Sequence, residues 1–512
     1  MSFLIILFTT LGLSEASKIL SIFHTPSKSH QLLAEPLLFE LARSGHEVTI
    51  LTPFPLKNQQ TNIRCIELTD VEKYYDPYWE VAFEHVDDNP LQMLRDFFGE
   101  TTDLTRLTLE HPNVRKLLNS NETFDLVFFE IFLNDAFLGF AHYYNCPAIC
   151  MSTIGMTPWA NDLVRTPSPM SFIPNGLLPF KDKMTFRERI INILFTFYER
   201  YLLYTTYLPS QNEMYNSVFP DPKPSFYDLR NSKVALILLN SHFSLGFPRP
   251  LMPNIIEVGG MQINQKPDSL PKEIKDFMDS AKHGIVFFSM GSNIWPSRMS
   301  PEKREGILNS FNKIKLKVIW KWDDEKLDLD KNKFLVRKWL PQDSILAHPN
   351  VKLFITHGGL LSCIESIFHG VPMLGTPVFG DQMSNMDMVA NNHWGIRIDY
   401  KNLTEDSLDW ALEEILTNSL YRKAVQYTKN LFRDQPLTPL DTAKFWVEYV
   451  IRHKGATHMK SAAMQMSIIE YYNLDAYTFL LIILILLVII LPLIVFQISK
   501  KVFVLKYKEK VI

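Results

Sequence analysis

The chain has 512 residues, 46% hydrophobic and 21% charged, and its 52 basic and 55 acidic residues give a net charge of −3. It is too long for one compact core, and its composition excludes a disordered chain, a collagen-like chain and a polytopic membrane protein. A charge so close to zero gives no electrostatic reason to expect nucleic acid as a partner.

The first 17 residues indicate a secretory signal sequence. A short apolar run ends in small residues at Ser14, Ala16 and Ser17, as a cleavage site requires, although no basic residue stands near the start. The alternative is a buried first strand, but residues 18–23 make a better strand and follow at once. We therefore assign residues 1–17 to a signal peptide.

From residue 18 onward, strands and helices alternate. Strands are predicted at residues 18–23, 47–52, 124–130, 148–152 and 234–239, and helices at residues 29–44 and 134–144. A strand, a helix and a second strand in succession form a βαβ unit, whose handedness favours a parallel sheet. Residues 18–245 are therefore expected to form one doubly wound domain.

A proline-rich stretch interrupts this alternation after residue 156, and an aromatic segment with few charges follows at residues 187–207. We interpret this segment as a core helix. The alternative is a membrane contact that admits lipophilic molecules.

The alternation restarts after residues 246–254, a natural linker that contains three prolines. Strands are predicted at residues 285–289, 317–320, 334–336 and 353–356, and a helix at residues 302–314. Residues 246–455 are thus expected to form a second Rossmann-like domain. The fold class is therefore α/β, with two doubly wound domains facing a cleft in which ligands bind.

The carboxyl end predicts one transmembrane helix. No charge stands between Asp475 and Lys500, and a membrane span needs about 20 apolar residues. Pro492 is tolerated there, and a buried core helix is the alternative. We assign residues 456–476 to a luminal juxtamembrane segment, 477–498 to the span and 499–512 to a cytosolic basic tail of net charge +4, since positive residues stay on the cytoplasmic side.

Without the signal and the tail, the exported part carries a charge of −6 and has no reason to seek anionic polymers. Asn121 and Asn402 begin glycosylation sequons, which matter only in an exported domain. The four cysteines, Cys65, Cys146, Cys150 and Cys363, form no zinc-binding spacing, and free core thiols are the preferred interpretation.

Four short motifs follow one another in the second domain. They are Trp339-Leu-Pro-Gln342, Thr356-His-Gly-Gly-Leu-Leu-Ser-Cys-Ile-Glu365, His369-Gly-Val-Pro372 and Gly380-Asp-Gln-Met-Ser-Asn385. Glycines after a strand let the backbone approach a ligand, and the start of the following helix offers free N–H groups to a phosphate.

In these motifs the sequence resembles the UDP-glycosyltransferase family, and the resemblance covers the whole chain. The order of segments is similar to that of the microsomal animal enzymes called UDP-glucuronosyltransferases, and the local sequence around Gly358 resembles invertebrate members most. This resemblance implies a GT-B type fold. It also implies a UDP-sugar as co-substrate, with no cofactor and no metal.

The resemblance further implies a donor-binding role for each motif residue. Trp339 and Gln342 would hold the uracil, and Glu365 would accept hydrogen bonds from the ribose hydroxyls. The diphosphate would be bound by His357 and by the backbone of Gly358, Gly359 and Ser362, and Gly291 and Ser292 would approach the phosphates. Asp381 and Gln382 would hold the donor sugar. Vertebrate members have asparagine where Leu361 stands, so that side-chain contact to phosphate is not expected here.

The catalytic base is expected to be His30, in the loop after the first strand. A histidine whose ordinary pKa is about 6.5 can take a proton from an alcohol at neutral pH. His24 and His46 compete, but both are better read as structural, and His30 aligns with the family's base. A carboxylate should orient it; Glu130 fits by position and Asp135 by residue type, and the sequence leaves both open.

A metal is not expected, since the only Asp-x-Asp, Asp328-Leu-Asp330, reads as a solvated loop. The expected protein is a single-pass type I enzyme of the endoplasmic reticulum membrane with luminal catalytic domains. It would transfer a hexosyl group with inversion from UDP-glucose, or UDP-glucuronate, to a small lipophilic alcohol or phenol, for detoxification or metabolite conjugation.

Residues 74–96 and 156–227 are expected to set the choice of acceptor. From another functional class, the alternative is an inactive binding protein or carrier for hydrophobic ligands. The expected partners are the UDP-sugar, the acceptor and the membrane, with no nucleic acid, and a homo-oligomer is left open.

Overall fold

The computed structural model describes residues 16–56, 61–84, 89–324, 327 and 329–509. The predicted signal sequence falls almost wholly outside the described residues, as do Asp328 and the last three residues of the basic tail. Contacts divide the chain into two units, Met1–Lys460 and Ser461–Ile512.

The first unit contains two parallel sheets, and the first sheet has seven strands. These are β1 (Lys18–Ile22), β2 (Glu47–Thr52), β3 (Ile63–Glu67), β4 (Leu126–Glu130), β5 (Ala148–Ser152), β6 (Val234–Leu239) and β7 (Ile255–Glu257). Their spatial order is β3-β2-β1-β4-β5-β6-β7, with Ile19 of β1 aligned on Val48 of β2 and Leu126 of β4. The central strands are apolar runs buried on both faces, as parallel strands covered by helices must be.

The second sheet has six strands, which run in the order β10-β9-β8-β11-β12-β13. They are β8 (Ile285–Ser289), β9 (Lys317–Lys321), β10 (Phe334–Arg337), β11 (Val351–Thr356), β12 (Met373–Gly375) and β13 (Gly395–Arg397). In each sheet the first strand lies between the second and the fourth, so the strand order reverses beside it. The predicted α/β class with two doubly wound sheets is confirmed.

Helices cover both faces of the sheets, and three more α-helices are described in the second unit. They are α1 (Lys28–Arg43), α2 (Asp76–Glu80), α3 (Pro90–Glu110), α4 (Pro112–Leu118), α5 (Leu138–Tyr143), α6 (Pro158–Val164), α7 (Phe186–Leu202), α8 (Leu208–Val218), α9 (Phe226–Lys233), α10 (Lys272–Asp279), α11 (Pro301–Lys313), α12 (Gln342–Leu346), α13 (Leu360–His369), α14 (Gln382–Asn391), α15 (Glu405–Thr417), α16 (Ser419–Arg433), α17 (Pro439–Arg452), α18 (Ile468–Tyr471), α19 (Leu474–Ile485) and α20 (Leu491–Glu509). Prolines in the first turn and side-chain caps mark where several helices begin, as Ser300 does for α11.

Two elements cross the predicted boundary between the domains. β7 pairs with β6 in the first sheet, although it lies past residue 245. α17 packs its buried Ala443 and Val447 among the apolar residues of the first sheet and α1, and Lys444 pairs with Glu40 at 3.0 Å. The end of the second half thus folds back onto the first, and the domain boundaries themselves stay a prediction.

The aromatic segment predicted as a core helix is buried on one face only. α7 begins at a capping box formed by Thr185 and Glu188 and buries Phe195 and Glu199, and a one-turn π-helix, Leu203–Tyr207, continues it. Its opposite face exposes apolar side chains at helical spacing: Phe186, Ile190, Leu194, Phe197 and Tyr201. The core prediction was wrong for this face because a low charge density does not show which apolar residues find a neighbour.

The second unit contains the predicted membrane helix. α19, a π-helical turn Leu486–Ile490 and α20 run on as one apolar helix, with a mean hydropathy of 3.7 in its most apolar window within Leu474–Tyr507. At about 1.5 Å per residue, this stretch is longer than the roughly 30 Å hydrocarbon core of a bilayer. The predicted span, residues 477–498, lies inside it.

Candidate active site

The candidate site is a cavity of about 720 Å³ between the carboxyl ends of the two sheets. In each sheet the strand order reverses between the first and fourth strands, and in such folds a crevice opens there. Loops after β1, β8 and β11 therefore meet at the cavity. The predicted residues that line it are His30, Gly291, Ser292, Trp339, Gln342, His357, Gly359, Ser362, Glu365, Asp381 and Gln382.

His30 stands in the first turn of α1, and its Nδ1 lies 2.5 Å from Oε1 of Glu130, the last residue of β4. The two side chains meet because β1 and β4 are neighbours, so the loop after β1 passes over the end of β4. The His30 side chain is 13% exposed and that of Glu130 is fully buried. The imidazole edge also contacts the ring of Phe132.

Two threonines complete the surroundings of Glu130. Thr153 donates to Oε1 at 2.6 Å and Thr25 donates to Oε2 at 2.7 Å. With both carboxylate oxygens accepting, the proton of a neutral His30 belongs on Nδ1, and Nε2 keeps the free lone pair. The arrangement can therefore accept a proton at Nε2 of His30.

The pair perturbs the pKa of each partner. Burial would lower the pKa of His30, but the charge and hydrogen bond of Glu130, together with the charge of Asp381, outweigh it and raise that pKa above its ordinary value. Burial would raise the pKa of Glu130, but the charge and hydrogen bond of His30 outweigh it and lower that pKa. A carboxylate that stabilises an imidazolium in this way is the companion that a histidine base needs.

Asp135, the other carboxylate left open by the sequence, takes part in a different ion pair. Its Oδ2 accepts from Nε of Arg230 at 2.5 Å, and its Oδ1 accepts from the Tyr207 hydroxyl at 2.9 Å. Asp135 does not line the cavity, so the contact to His30 belongs to Glu130. The sequence left both carboxylates open because it does not show that Arg230, far along the chain on α9, pairs with Asp135.

The two competing histidines lie outside the cavity. His24 is fully buried at the end of β1 against the ring of Phe137, and burial lowers its pKa to about 4. His46 follows α1, and its Nδ1 accepts from the backbone N–H of Ser17 at 3.2 Å. Both contacts are structural, as expected.

On the donor side, three predicted residues form one hydrogen-bond network. Nε2 of Gln342 donates to Oε2 of Glu365 at 2.7 Å and to Oγ of Ser362 at 3.1 Å. The network joins the start of α12 to the first turns of α13. Burial raises the pKa of Glu365 to about 7, and the hydrogen bond from Gln342 partly offsets this.

The ring of His357 leaves no room for a side chain at two neighbouring glycines. A Cβ on Gly291 would lie 2.4 Å from Cε1 of His357, and a Cβ on Gly359 would lie 2.6 Å from its Nε2. Gly358 is different, because it is packed against Met386 and does not line the cavity. Burial, followed by the charge of Lys321, lowers the pKa of His357 to about 3, so this ring is a neutral hydrogen-bonding group at neutral pH.

Two lysines that the sequence did not single out stand at Trp339. Nζ of Lys28 lies 4.2 Å from the centre of the indole, and Nζ of Lys321 lies 4.7 Å from it. Lys321 also donates to the backbone oxygen of Gly291 at 2.5 Å, and burial, then the charge of Lys28, lowers its pKa to about 8. The signal was present in the sequence, because Lys28 stands two residues before His30 and Lys321 ends a buried strand.

The residues predicted to hold the donor sugar are held by their own neighbours. Asn385 donates to Oδ2 of Asp381 at 2.8 Å, and burial raises the pKa of Asp381. Gln382 accepts from the backbone N–H groups of Val378 and Phe379, so it also braces the loop before α14.

A hydrogen bond crosses the cleft beside the base. Nδ2 of Asn293 donates to Oγ of Ser27 at 2.8 Å, and Oγ of Ser292 donates to Oδ1 of Asn293 at 3.0 Å. Ser27 begins the helix that carries His30. The loop of the predicted phosphate residue Ser292 therefore contacts the loop of the base, which the sequence could not show.

The half of the cavity in which the acceptor is predicted to bind, here called the aromatic half, has mostly aromatic walls. They come from the two stretches, 74–96 and 156–227, that were expected to set acceptor choice, and from neighbouring elements. The rings that line it are Tyr75, Tyr78, Trp79, Phe97, Phe132 and Trp159. A lipophilic ring system fits such walls.

Known proteins match this arrangement over nearly the whole chain. The family model for UDP-glucoronosyl and UDP-glucosyl transferase matches residues 17–510. UDP-glycosyltransferase UGT5 of Dactylopius coccus is 36% identical over 91% of this chain and 89% of its own length. UDP-glucuronosyltransferase 1A9 of Homo sapiens is 30% identical over 94% of this chain and 91% of its own.

A solved structure supports the fold. The crystal structure of the glycosyltransferase of kitacinnamycin matches with a TM-score of 0.53 and 16% identity, over 85% of this chain and 99% of that one. The expected GT-B fold is thus confirmed, and the resemblance stated from the motifs is confirmed as well. The chain belongs to the family of UDP-glucuronosyl and UDP-glucosyl transferases and is a UDP-glycosyltransferase.

Proposed function

We propose that the protein moves a hexosyl group, with inversion, from a UDP-sugar to a hydroxyl of a small lipophilic acceptor. The observation that carries this proposal is the His30–Glu130 pair, which lies where the aromatic half of the cavity meets the predicted donor residues. Conjugation of this kind makes the acceptor more soluble in water and would serve detoxification or metabolite conjugation.

In the proposed reaction, Nε2 of His30 removes the proton of the acceptor hydroxyl. The oxygen attacks the anomeric carbon as the bond from that carbon to the diphosphate breaks, and UDP leaves from the opposite face. Glu130 stabilises the imidazolium, and the released proton then passes to solvent. General-base help of this kind is worth about 10²–10⁴-fold in rate.

We place the diphosphate of the donor at the start of α13, where backbone N–H groups are free to bind an anion. The neutral His357 and the ammonium group of Lys321 line the same cavity and could share the charge of the diphosphate without a divalent metal. Turnover in the presence of a chelator should therefore equal turnover without it. Loss of activity on chelation, restored by a divalent ion, would contradict this part of the proposal.

For the donor, we prefer UDP-glucose to UDP-glucuronate. Support comes from UDP-glucosyltransferase 2 of Dactylopius coccus, which is 34% identical over 92% of this chain, although the human and mouse relatives are named glucuronosyltransferases. Parallel assays with the two donors decide the question. Equal rates, or a faster reaction with UDP-glucuronate, would reject this preference.

We further propose a type I orientation in the endoplasmic reticulum membrane with the catalytic part in the lumen. The apolar helix and the lysines after it support this placement, and Asn121 and Asn402, which begin the sequons, are both exposed. The test is endoglycosidase treatment of microsomes. A shift in mobility is expected, and an unglycosylated, protease-sensitive catalytic part would refute the orientation.

Replacement of the base tests the function itself. His30→Ala should lower turnover by about 10²–10⁴-fold, because it removes the imidazole that takes the proton of the acceptor hydroxyl. UDP affinity, measured by calorimetry, should stay near the wild-type value, since the predicted uracil and diphosphate contacts lie in the other half. Retained turnover would refute the proposed base.

A further inference from the structure

One carboxyl group interrupts the aromatic half of the cavity. Glu199, on the buried face of α7, lines the cavity and is only 2% exposed. Its Oε2 accepts from Nδ2 of Asn175 at 2.5 Å, whereas its Oε1 has no hydrogen-bond partner among the described residues. A buried polar atom without a partner is rare in folded proteins and calls for an explanation, such as a ligand that completes it.

The neighbours of Glu199 hold it in place. The backbone N–H of Leu177 donates to Oδ1 of Asn175 at 3.0 Å, which turns the amide nitrogen of Asn175 toward Glu199. Asn192, in turn, accepts from the backbone N–H of Asn175 at 2.8 Å and donates to the backbone oxygen of Ile173 at 3.0 Å. The carboxyl group is therefore positioned before any ligand arrives, which is the property of a built binding site.

The electrostatics also separate Glu199 from ordinary core carboxylates. It belongs to no ion pair in the described part of the chain, unlike Asp135, and burial raises its pKa to about 7 despite the hydrogen bond from Asn175. A second polar atom of the same cavity is also unpartnered, because Nε1 of the buried Trp159 has no acceptor among the described residues. Among the described residues of the aromatic half, Oε1 of Glu199 and Nε1 of Trp159 are thus polar atoms that a ligand can still bind.

We infer that the acceptor substrate carries two polar groups on a largely apolar body. One is the hydroxyl that reacts at His30, and the other is a hydrogen-bond donor, a hydroxyl or an amine, that binds Oε1 of Glu199. This inference rests on the proposed function, since it assigns the substrate class of the same cavity. A monofunctional lipophilic alcohol would leave Glu199 buried and unpaired, and sites built around a hydrogen bond discriminate strongly against ligands that lack it.

The test uses phenols of matched length that differ only at the far end. Three series are compared at each length: 4-alkylphenols, 4-(ω-hydroxyalkyl)phenols and 4-(ω-aminoalkyl)phenols, with the phenol glycoside as the measured product. For the length that spans the cavity, kcat/KM of a hydroxyl or amine congener should exceed that of the alkyl congener at least tenfold, although it is the less lipophilic molecule.

Variants of Glu199 show whether this residue causes the preference. In Glu199→Leu the kcat/KM values of the polar and the alkyl congeners should become about equal. In Glu199→Gln the hydroxyl congeners should keep part of their advantage, because the amide still offers an acceptor. The amine congeners should lose theirs, because the negative charge is gone. Glu213→Leu changes an exposed carboxylate on α8 that lies outside the cavity lining and should retain the wild-type ratio. If Glu199→Leu does not fold, Glu199→Gln alone decides through the amine ratio.

The inference and the proposed function fail in different ways. A wild-type enzyme that turns over phenols but favours the alkyl congener at every length overturns the inference, as does an unchanged ratio in both Glu199 variants. If no congener is glycosylated, the proposed function fails. The inference is then tested by tryptophan-fluorescence titration, in which the bifunctional congeners should still bind at least tenfold more tightly.

Discussion

His30 and Glu130 behave as one proton-binding unit, because their atoms are 2.5 Å apart and water barely reaches them. The base form of this unit is neutral imidazole with Glu130 ionised. Since Glu130 raises the pKa of His30, activity should fall as the pH drops through that raised value, above the ordinary value of about 6.5. The acidic limb of the rate profile is thus set by Glu130.

Glu130→Gln tests this dependence. The amide removes the charge that raises the pKa of His30, while burial still lowers it, so the acidic limb of kcat/KM should move to lower pH. The maximal rate should fall by about 10²–10⁴-fold, because the imidazolium loses its stabilising carboxylate. The measurement is the pH profile of kcat/KM at saturating donor. A limb that stays where it is, or moves upward, would contradict the assigned pair.

A second residue-scale prediction concerns Gly291, whose φ of +76° already disfavours any side chain. In Gly291→Ala the new methyl group would collide with the ring of His357. Overpacking of this kind costs about 1–3 kcal/mol. Because UDP binding needs the undisturbed position of His357, a cost of this size should lower UDP affinity by about 5- to 150-fold. Calorimetry with UDP measures it, with Gly99→Ala, where nothing lies within 4 Å, as the control. Wild-type affinity in Gly291→Ala would show that His357 can move aside freely.

At the scale of elements, Asp135 joins the chain after β4 to α9. Its ion pair with Arg230 is almost fully buried, with 5% and 6% of the side chains exposed, and Asp162 adds a second contact to Arg230 at 3.2 Å. Breaking a buried pair from one side leaves an uncompensated charge and costs about 3–5 kcal/mol. This link therefore serves the stability of the fold, whereas Glu130 serves the chemistry.

Asp135→Asn should accordingly destabilise the protein by about 3 kcal/mol, toward the lower end because Asp162 still contacts Arg230. Chemical denaturation with UDP absent measures the change, and the exposed Glu213→Gln serves as the control. The acidic limb of the pH profile should stay in place, in contrast to Glu130→Gln. If Asp135→Asn shifts the acidic limb of the pH profile but leaves the free energy of unfolding unchanged, Asp135 rather than Glu130 is the carboxylate that acts on His30.

The elements found from the sequence share a physical property. Strands such as β5 and β6 were predicted with the bounds that the structure has, since strands buried on both faces appear as continuous apolar runs. β3 was missed because none of its residues is fully buried, and β7, β12 and β13 were missed because three residues carry too little pattern.

The site was predictable to a similar degree. Motif order predicted residues that line one cavity, because those side chains follow strand ends directly. The partner of His30 could not be chosen, since the choice depends on which carboxylate Arg230 neutralises from α9. Lys28 and Lys321 were missed because lysines are ordinarily solvent-exposed, so a position close to His30 or at a strand end was not taken as a sign of a site.

At the scale of the whole molecule, both sheets and the helices up to Arg452 belong to one contact unit, Met1–Lys460. Within it, α17, near the end of the unit, covers part of the apolar core beside the first sheet. Its Ala443, Val447 and Val450 are fully buried in the apolar cluster that contains Leu33 and Leu37 of α1. A chain cut before α17 would therefore leave part of the first sheet's core open to water.

Two truncations test this. A chain ending at Lys460 retains α17 and should bind UDP and unfold within a few degrees of the full-length protein. A chain ending at Arg433 loses it, and since a buried valine alone contributes about 1.5–3 kcal/mol against a total stability of about 5–15, this chain should aggregate or unfold far lower. Thermal unfolding with and without UDP measures both. Equal stability of the two chains would mean that α17 is an appendage, and that the two sheets are completed independently of the end of the chain.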